Sequence, residues 1–222
     1  DASHYNEYVA GNYKDSMGNF SNLAAGYSVR TVQLNTSADL LAACENANDK
    51  YVALVLTAPS RRNGDSLRDP YLRYTDAELQ AIADFNAAGG AVIVAGWGDY
   101  YESYKDFPAK DHMAAQQNLV LEALGSHLRI SDDELKDETY NGGQPQRLYL
   151  SSYNFNSFLL NRVEFDADNP HNNLYTELFS QYGGASIHVV DTDGQPTTVI
   201  PDTVTPVVYG FATSYSADDD KD

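Results

Sequence analysis

Cysteine is almost absent from this chain. A single thiol, Cys44, excludes a disulfide framework and a cysteine-built zinc site. Positive charge is scarce too: 14 Lys and Arg stand against 32 Asp and Glu, giving a formal net charge of −18 and a sequence pI near 4.4. Binding to nucleic acid draws on Lys and Arg that displace counterions from phosphates, so a chain this acidic is not expected to bind it alone. No stretch approaches 18 consecutive apolar residues, and no membrane span is expected. No secretory leader is legible, and position 1 is Asp rather than Met. The expectation is a processed protein or a segment of a larger multidomain chain. The P-loop, G-x-G-x-x-G, G-x-S-x-G and H-E-x-x-H patterns are missing, which argues against the common nucleotide-binding and hydrolase mechanisms.

What is present suffices for a real core: 42% of the 222 residues are hydrophobic. "SMGNFSNLAAGY" has helical spacing after a cap at Asp15 or Ser16, and "VRTVQL" (29–34) reads as a short strand. "SADLLAACENAN" sets Leu40, Leu41, Cys44 and Ala47 along one helical face. "YVALVLT" (51–57) is a continuous apolar run, as in a strand buried on both faces of a parallel sheet. "TDAELQAIADFNAAGG" is the clearest helix, with Thr75 and Glu78 as a capping box and Gly89–Gly90 as the stop. "AVIVAG" is the next buried strand, "DHMAAQQNLVLEALG" the next helix, and "HLRI" (127–130) a short fourth strand. This alternation predicts an α/β fold with a doubly wound, mostly parallel sheet and helices on both faces.

Past residue 131 the rhythm changes. "QRLYLSSYN" reads as a strand, "NNLYTELFSQYGG" as a short helix, and "ASIHVV", "DTDGQ" and "PTTVIP" as a hairpin extension. "TPVVYGFATSYS" is a last strand and 217–222 an acidic tail. Without a repeat or a Pro- or Ser-rich linker, 1–222 is taken as one domain, its core units in 1–130 and its C-terminal strands in 131–216. A doubly wound sheet also wants a strand leading into "DASHYN". Either apolar residues upstream of Asp1 supply it or a C-terminal strand fills its slot.

"DASHYNEYVAGNY", "YTDAELQAIADFNAAGGAVIVAGWGDYY" and "NLVLEALGSHLRISDDEL" together resemble the class I glutamine amidotransferase-like, flavodoxin-like domains of secreted bacterial surface proteins. The likeness covers roughly residues 1 to 150, and it is carried by the set rather than by any one piece. In true amidotransferases the turn after the central strand is a nucleophile elbow bearing a cysteine. Here that turn reads Gly96-Trp97-Gly98, and Cys44 falls on the apolar face of a different helix, where a free thiol acts as a small hydrophobe. Without a thiol at the turn, glutamine hydrolysis lacks its nucleophile. The resemblance implies an extracellular or cell-surface location and a non-catalytic module.

Ligands of open parallel sheets bind beyond the carboxyl ends of the strands. That rim should hold Asp1, His4, Asn6, Arg61, Arg62, Asp65, Trp97, Asp99, Tyr100 and Tyr101. Asp1, His4 and Asp99 are the candidate acid–base or metal-binding groups of a hydrolase; alternatively His4 and Asp99 only satisfy turns and helix ends. Arg61, Arg62, Arg68 and Arg73 concentrate positive charge in one loop, either as an anion site or as partners of Asp65, Asp69 and Asp76. Asn6, Arg61, Arg62, Trp97, Tyr100 and Tyr101 are the candidate ligand-binding residues, with Trp97 and the adjacent tyrosines a glycan-stacking platform if exposed. "DTDGQ" lacks the full ligand set of an EF-hand and reads first as a turn; Ca²⁺ is the one ion the acidic loops would collect, and no other cofactor is expected. The expected partner is a small molecule, a glycan or a protein.

Overall fold

The computed structural model describes residues 1–10, 17–45, 51–63, 66–99, 108–154, 156–160 and 180–219. It is a mixed α/β protein with several small sheets, and it divides into two compact units. The first comprises Asp1–Gly96 and Lys105–Ser126, the second Trp97–Tyr104 and His127–Asp222.

In the first unit, α1 (Gly18–Gly26) and α2 (Ser37–Glu45) precede β1 (Ala53–Thr57). A small antiparallel pair, β2 (Arg62–Asn63) and β3 (Ser66–Leu67), leads to α3 (Asp76–Ala87) and β4 (Ala91–Ala95). A 3-10 turn at Ala109–Asp111 then opens α4 (Met113–Ala123). The two apolar runs form the expected parallel pair, with Ala53 opposite Ala91 and Thr57 opposite Ala95. They are not buried on both faces, however: Ala53, Ala91, Ile93 and Ala95 are exposed, and only Leu54, Leu56 and Thr57 are buried. Leu54 and Leu56 point from β1 into a core with Leu40, Cys44, Ile82 and Phe85. Helix α3 begins as its sequence dictates: Thr75 Oγ1 accepts from Glu78 N, and the Glu78 carboxylate accepts from Thr75 N at 2.8 Å. It stops at Gly89 (φ +99), and Gly90 lies so close under Phe85 that a Cβ there would sit 2.2 Å from the ring. Helix α4 closes at Gly125 (φ +64).

Two expectations change here. Residues 29–34 form no regular strand: Val29 and Val32 are exposed, and only Leu34 enters the core. Their β-branched side chains favour an extended backbone, but a strand needs a ladder partner, and the described residues supply only the Ala2 N–H, which donates to Leu34 O at 2.7 Å. The expected caps Asp15 and Ser16 and the helical position Ala47 lie outside the described residues, and the N-cap of α1, Met17, makes no side-chain capping bond.

The second unit is antiparallel throughout its described pairings. β5 (Leu128–Ile130), β9 (Ile187–Val190) and β10 (Pro196–Thr197) form one sheet. "HLRI" therefore does not extend the parallel pair: Leu128 faces Val189 and Ile130 faces Ile187 in an antiparallel ladder. The hairpin predicted at "DTDGQ" is present, with Gly194 at φ +76 and Asp191 Oδ1 accepting from Asp193 N and Gln195 N. β7 (Arg147–Tyr153) lies between β8 (Ser180–Tyr182) and β11 (Val208–Gly210), and β6 (Glu134–Lys136) pairs with β12 (Tyr215–Ala217). The expected last strand is thus two strands in different sheets, parted by a turn in which Ser214 N donates to Phe211 O. Ser180–Tyr182, assigned to a helix by sequence, is strand, and residues 172–179 of that segment lie outside the described residues.

Candidate functional site

Residues 1–7 wind past the carboxyl end of β1 and pack polar side chains there. Asn6 fixes the loop: its Nδ2 donates to Thr57 O at 2.8 Å and to the Tyr74 hydroxyl at 3.3 Å, and its Oδ1 accepts from His4 N. Thr57 Oγ1 donates to Glu7 O, and Glu7 N donates to Ala58 O. Asp1 Oδ1 accepts from Ser3 N at 3.0 Å and from Ser3 Oγ at 2.8 Å.

His4 stands in the middle, 3% exposed. Its Nδ1 lies 2.9 Å from Ser3 Oγ and 3.6 Å from Asp1 Oδ2, and its Nε2 lies 3.5 Å from Glu78 Oε2. The ring packs against Tyr74 with centroids 4.2 Å apart. Burial pulls the His4 pKa below its ordinary value despite the Glu78 carboxylate, so the imidazole is neutral at pH 7 and the Glu78 contact is a polar one. Burial by itself would raise the Glu78 carboxyl, but hydrogen bonds from Ser37 and Thr75, and then His4, hold it below the usual range. The Ser3 hydroxyl has one proton and two acceptors, Asp1 Oδ1 and His4 Nδ1. When it donates to His4, Nε2–H is left facing Glu78.

The arginine loop is organised by a carboxylate the sequence did not indicate. Asp111 receives a bidentate pair from Arg73, with Nη2 2.8 Å from Oδ2 and Nε on Oδ1, and Arg61 Nη1 comes within 3.8 Å. Arg61 also stacks over Tyr71 at 4.8 Å, and Arg68 over Tyr5 at 3.9 Å. Arg62 lies in β2, half-buried. The expected partners Asp69 and Asp76 make none of these ion pairs, and Asp65 lies outside the described residues. The lone thiol is elsewhere: Cys44 packs among Leu34, Leu40, Leu54 and Phe85, and burial pushes its pKa up to about 11.

The turn Gly96-Trp97-Gly98 does not have the form of a nucleophile elbow. Tyr5, Tyr8 and Ser28 are the non-glycine residues with positive φ among those described, and Trp97 is not one of them. Gly98 runs flat between two backbones, its N–H donating to Gly183 O at 2.8 Å, and a Cβ there would meet Asp133 O at 3.0 Å and Gly183 O at 3.1 Å. Trp97 is buried at 5% exposure, which overturns the expectation that it offers an open stacking surface. Tyr100 and Tyr101 lie outside the described residues. Asp99 belongs to the second unit, where its N–H donates to Asp133 O and its Oδ2 accepts from Asp219 N at 2.8 Å. Asp1, His4, Asn6, Arg61 and Arg62 belong to the first.

Sequence reasoning missed the acidic residues that knit the second unit. Asp133 accepts from Ser186 N, Ser186 Oγ and Ser216 Oγ, and Asp137 accepts from Thr139 N, Tyr140 N, Thr213 Oγ1 and Ser214 Oγ. The run "SDDELKDE" gave only a faint signal, acidic residues alternating through a strand. Among the described residues no cluster of three or more His, Cys, Asp or Glu has the arrangement of a metal site, and no helix is long and apolar enough to cross a membrane. The chain matches no protein-family model, no curated protein and no solved structure.

Proposed function

We propose that this chain is a non-catalytic, amidotransferase-like module of an extracellular or cell-surface bacterial protein, its first unit built on a flavodoxin-like plan around β1 and β4. Its role is to bind a small ligand or a partner protein, or to hold neighbouring domains apart. The observation that carries this reading is the position of Cys44. The only thiol of the chain is a core residue, kept protonated by burial, while the turn where an amidotransferase holds its nucleophile carries a buried indole. The polar rim points the same way, because Asn6, Asp1 and Arg61 are engaged by neighbouring protein groups.

Acid–base hydrolysis is the second reading, favoured by the chain of contacts Ser3–His4–Glu78. One experiment separates the two. The purified chain, Cys44→Ala and His4→Ala are incubated with glutamine and with ester and phosphoester substrates. Product release at the buffer rate in all three is expected. Glutamine turnover lost in Cys44→Ala overturns the proposal, and ester turnover lost in His4→Ala but kept in Cys44→Ala selects the hydrolase.

A further inference from the structure

One edge of the parallel pair of the first unit has no strand partner among the described residues. Ala91 N donates to Val52 O, so Val52, Leu54 and Leu56 turn their amide groups toward β4. By strand alternation Ala53, Val55 and Thr57 turn theirs the opposite way. On that side the described residues contain no strand, and a groove of about 240 Å³ runs along the edge.

One end of this edge is already engaged as a ladder would engage it. Asp1 N donates to Val55 O at 2.8 Å and Asn6 Nδ2 to Thr57 O at 2.8 Å, so this segment runs in the direction of β1. Ala2 N donates across to Leu34 O, on the far wall formed by residues 29–34. Residues 1 and 2 therefore bridge β1 and that wall as a strand lying between them does. On the Asp1 side the slot continues alongside Ala53 and Val52, and its lining includes Cys44, Phe85, Phe20, Val29 and Val32. Phe20, Val29, Val32 and Val52 are exposed. An apolar lining beside a free backbone edge is what a buried parallel strand requires.

We propose that this slot takes an extended apolar strand of about four residues, parallel to β1 and joined to the Asp1 nitrogen. Its amides complete the ladder on Ala53 and Val55, and its side chains pack on the apolar lining that includes Cys44, Phe85 and Phe20. The same strand gives residues 29–34 a neighbour. The C-terminal strands do not fill the slot, since β9 to β12 pair within the second unit.

The test joins Val-Val-Ile-Leu ahead of Asp1 in the full chain, beside a Ser-Asn-Ser-Asn control of equal length and the free apolar peptide added to the unextended chain. The expected result for the apolar extension alone is a Tm higher by about 5 °C or more. Exchange of the Ala53 and Val55 amides and labelling of Cys44 by a thiol reagent should each slow by about tenfold or more. No change in these readouts, or equal change with the polar control, overturns the proposal. Protection by the free peptide without protection by the joined one assigns the slot to a partner chain and overturns it as well.

Discussion

Glu134 has no exposed surface, yet it carries a carboxyl group. Its nearest cation is Lys136, with Nζ 3.4 Å from Oε2, and that ammonium also holds Asp219 at 2.5 Å. Burial, reinforced by Asp219 and opposed by Lys136, pushes the Glu134 pKa up to about 7. Because the folded pKa lies above the unfolded one, the folded state binds the extra proton between the two values. This group therefore costs nothing below the unfolded pKa and costs progressively more as pH rises toward 7. Tm is expected to fall between about pH 5 and pH 7.5 by a few degrees. In Glu134→Gln the neutral amide should flatten that decline, which thermal melts of both proteins across the range will read. A steeper decline in the variant would mean that the Lys136 attraction outweighs desolvation. His4 and Glu78 illustrate the same competition with the opposite result for the acid: hydrogen bonds hold Glu78 ionised although it is buried.

At the scale of elements, glycines separate what local sequence dictates from what packing imposes. Gly26 ends α1 with nothing within 4 Å of where a methyl would stand, whereas Gly98 is confined by the backbones of residues 133, 134 and 183. Gly98→Ala is expected to lower stability by about 1–3 kcal/mol through overpacking, and Gly26→Ala to leave it unchanged or slightly raised. Urea unfolding of the two variants compares them directly, and equal stability would show that the second unit gives way at residue 98. The same division explains what was readable in advance. Helix α3, β1 and β4 were legible because capping box, Gly-Gly stop and apolar runs are local signals. The direction of "HLRI" was not, since it depends on β9, nearly sixty residues further along. Nor was the break after Gly210, which sends β11 and β12 to different sheets. The site was half legible: His4 and Asn6 do meet at the end of β1, but Asp111 reaches the arginines from a distant turn. Glu78 read as a cap and proved also to face His4.

For the molecule as a whole, net charge sets a condition on stability. A charge of −18 repels itself in the compact state. Raising ionic strength shortens the screening length from about 30 Å at 0.01 M to about 8 Å at 0.15 M. Tm is therefore expected to rise with NaCl over that interval, measurable by calorimetry at fixed pH. A fall would mean that local pairs such as Arg73–Asp111 and Lys136–Asp219 outweigh the general repulsion.

The flat insertion of Gly98 also bears on synthesis. Its partner Gly183 leaves the ribosome roughly 85 residues later, a wait of about 4–17 s at 5–20 residues per second. Through that interval Gly98 has emerged but cannot make its bond to Gly183, while β1, β4 and α4 can already pack on one another. The first unit can thus close on a nascent chain whose Gly98 backbone is still unpaired, and that is the window in which a chaperone has something to hold.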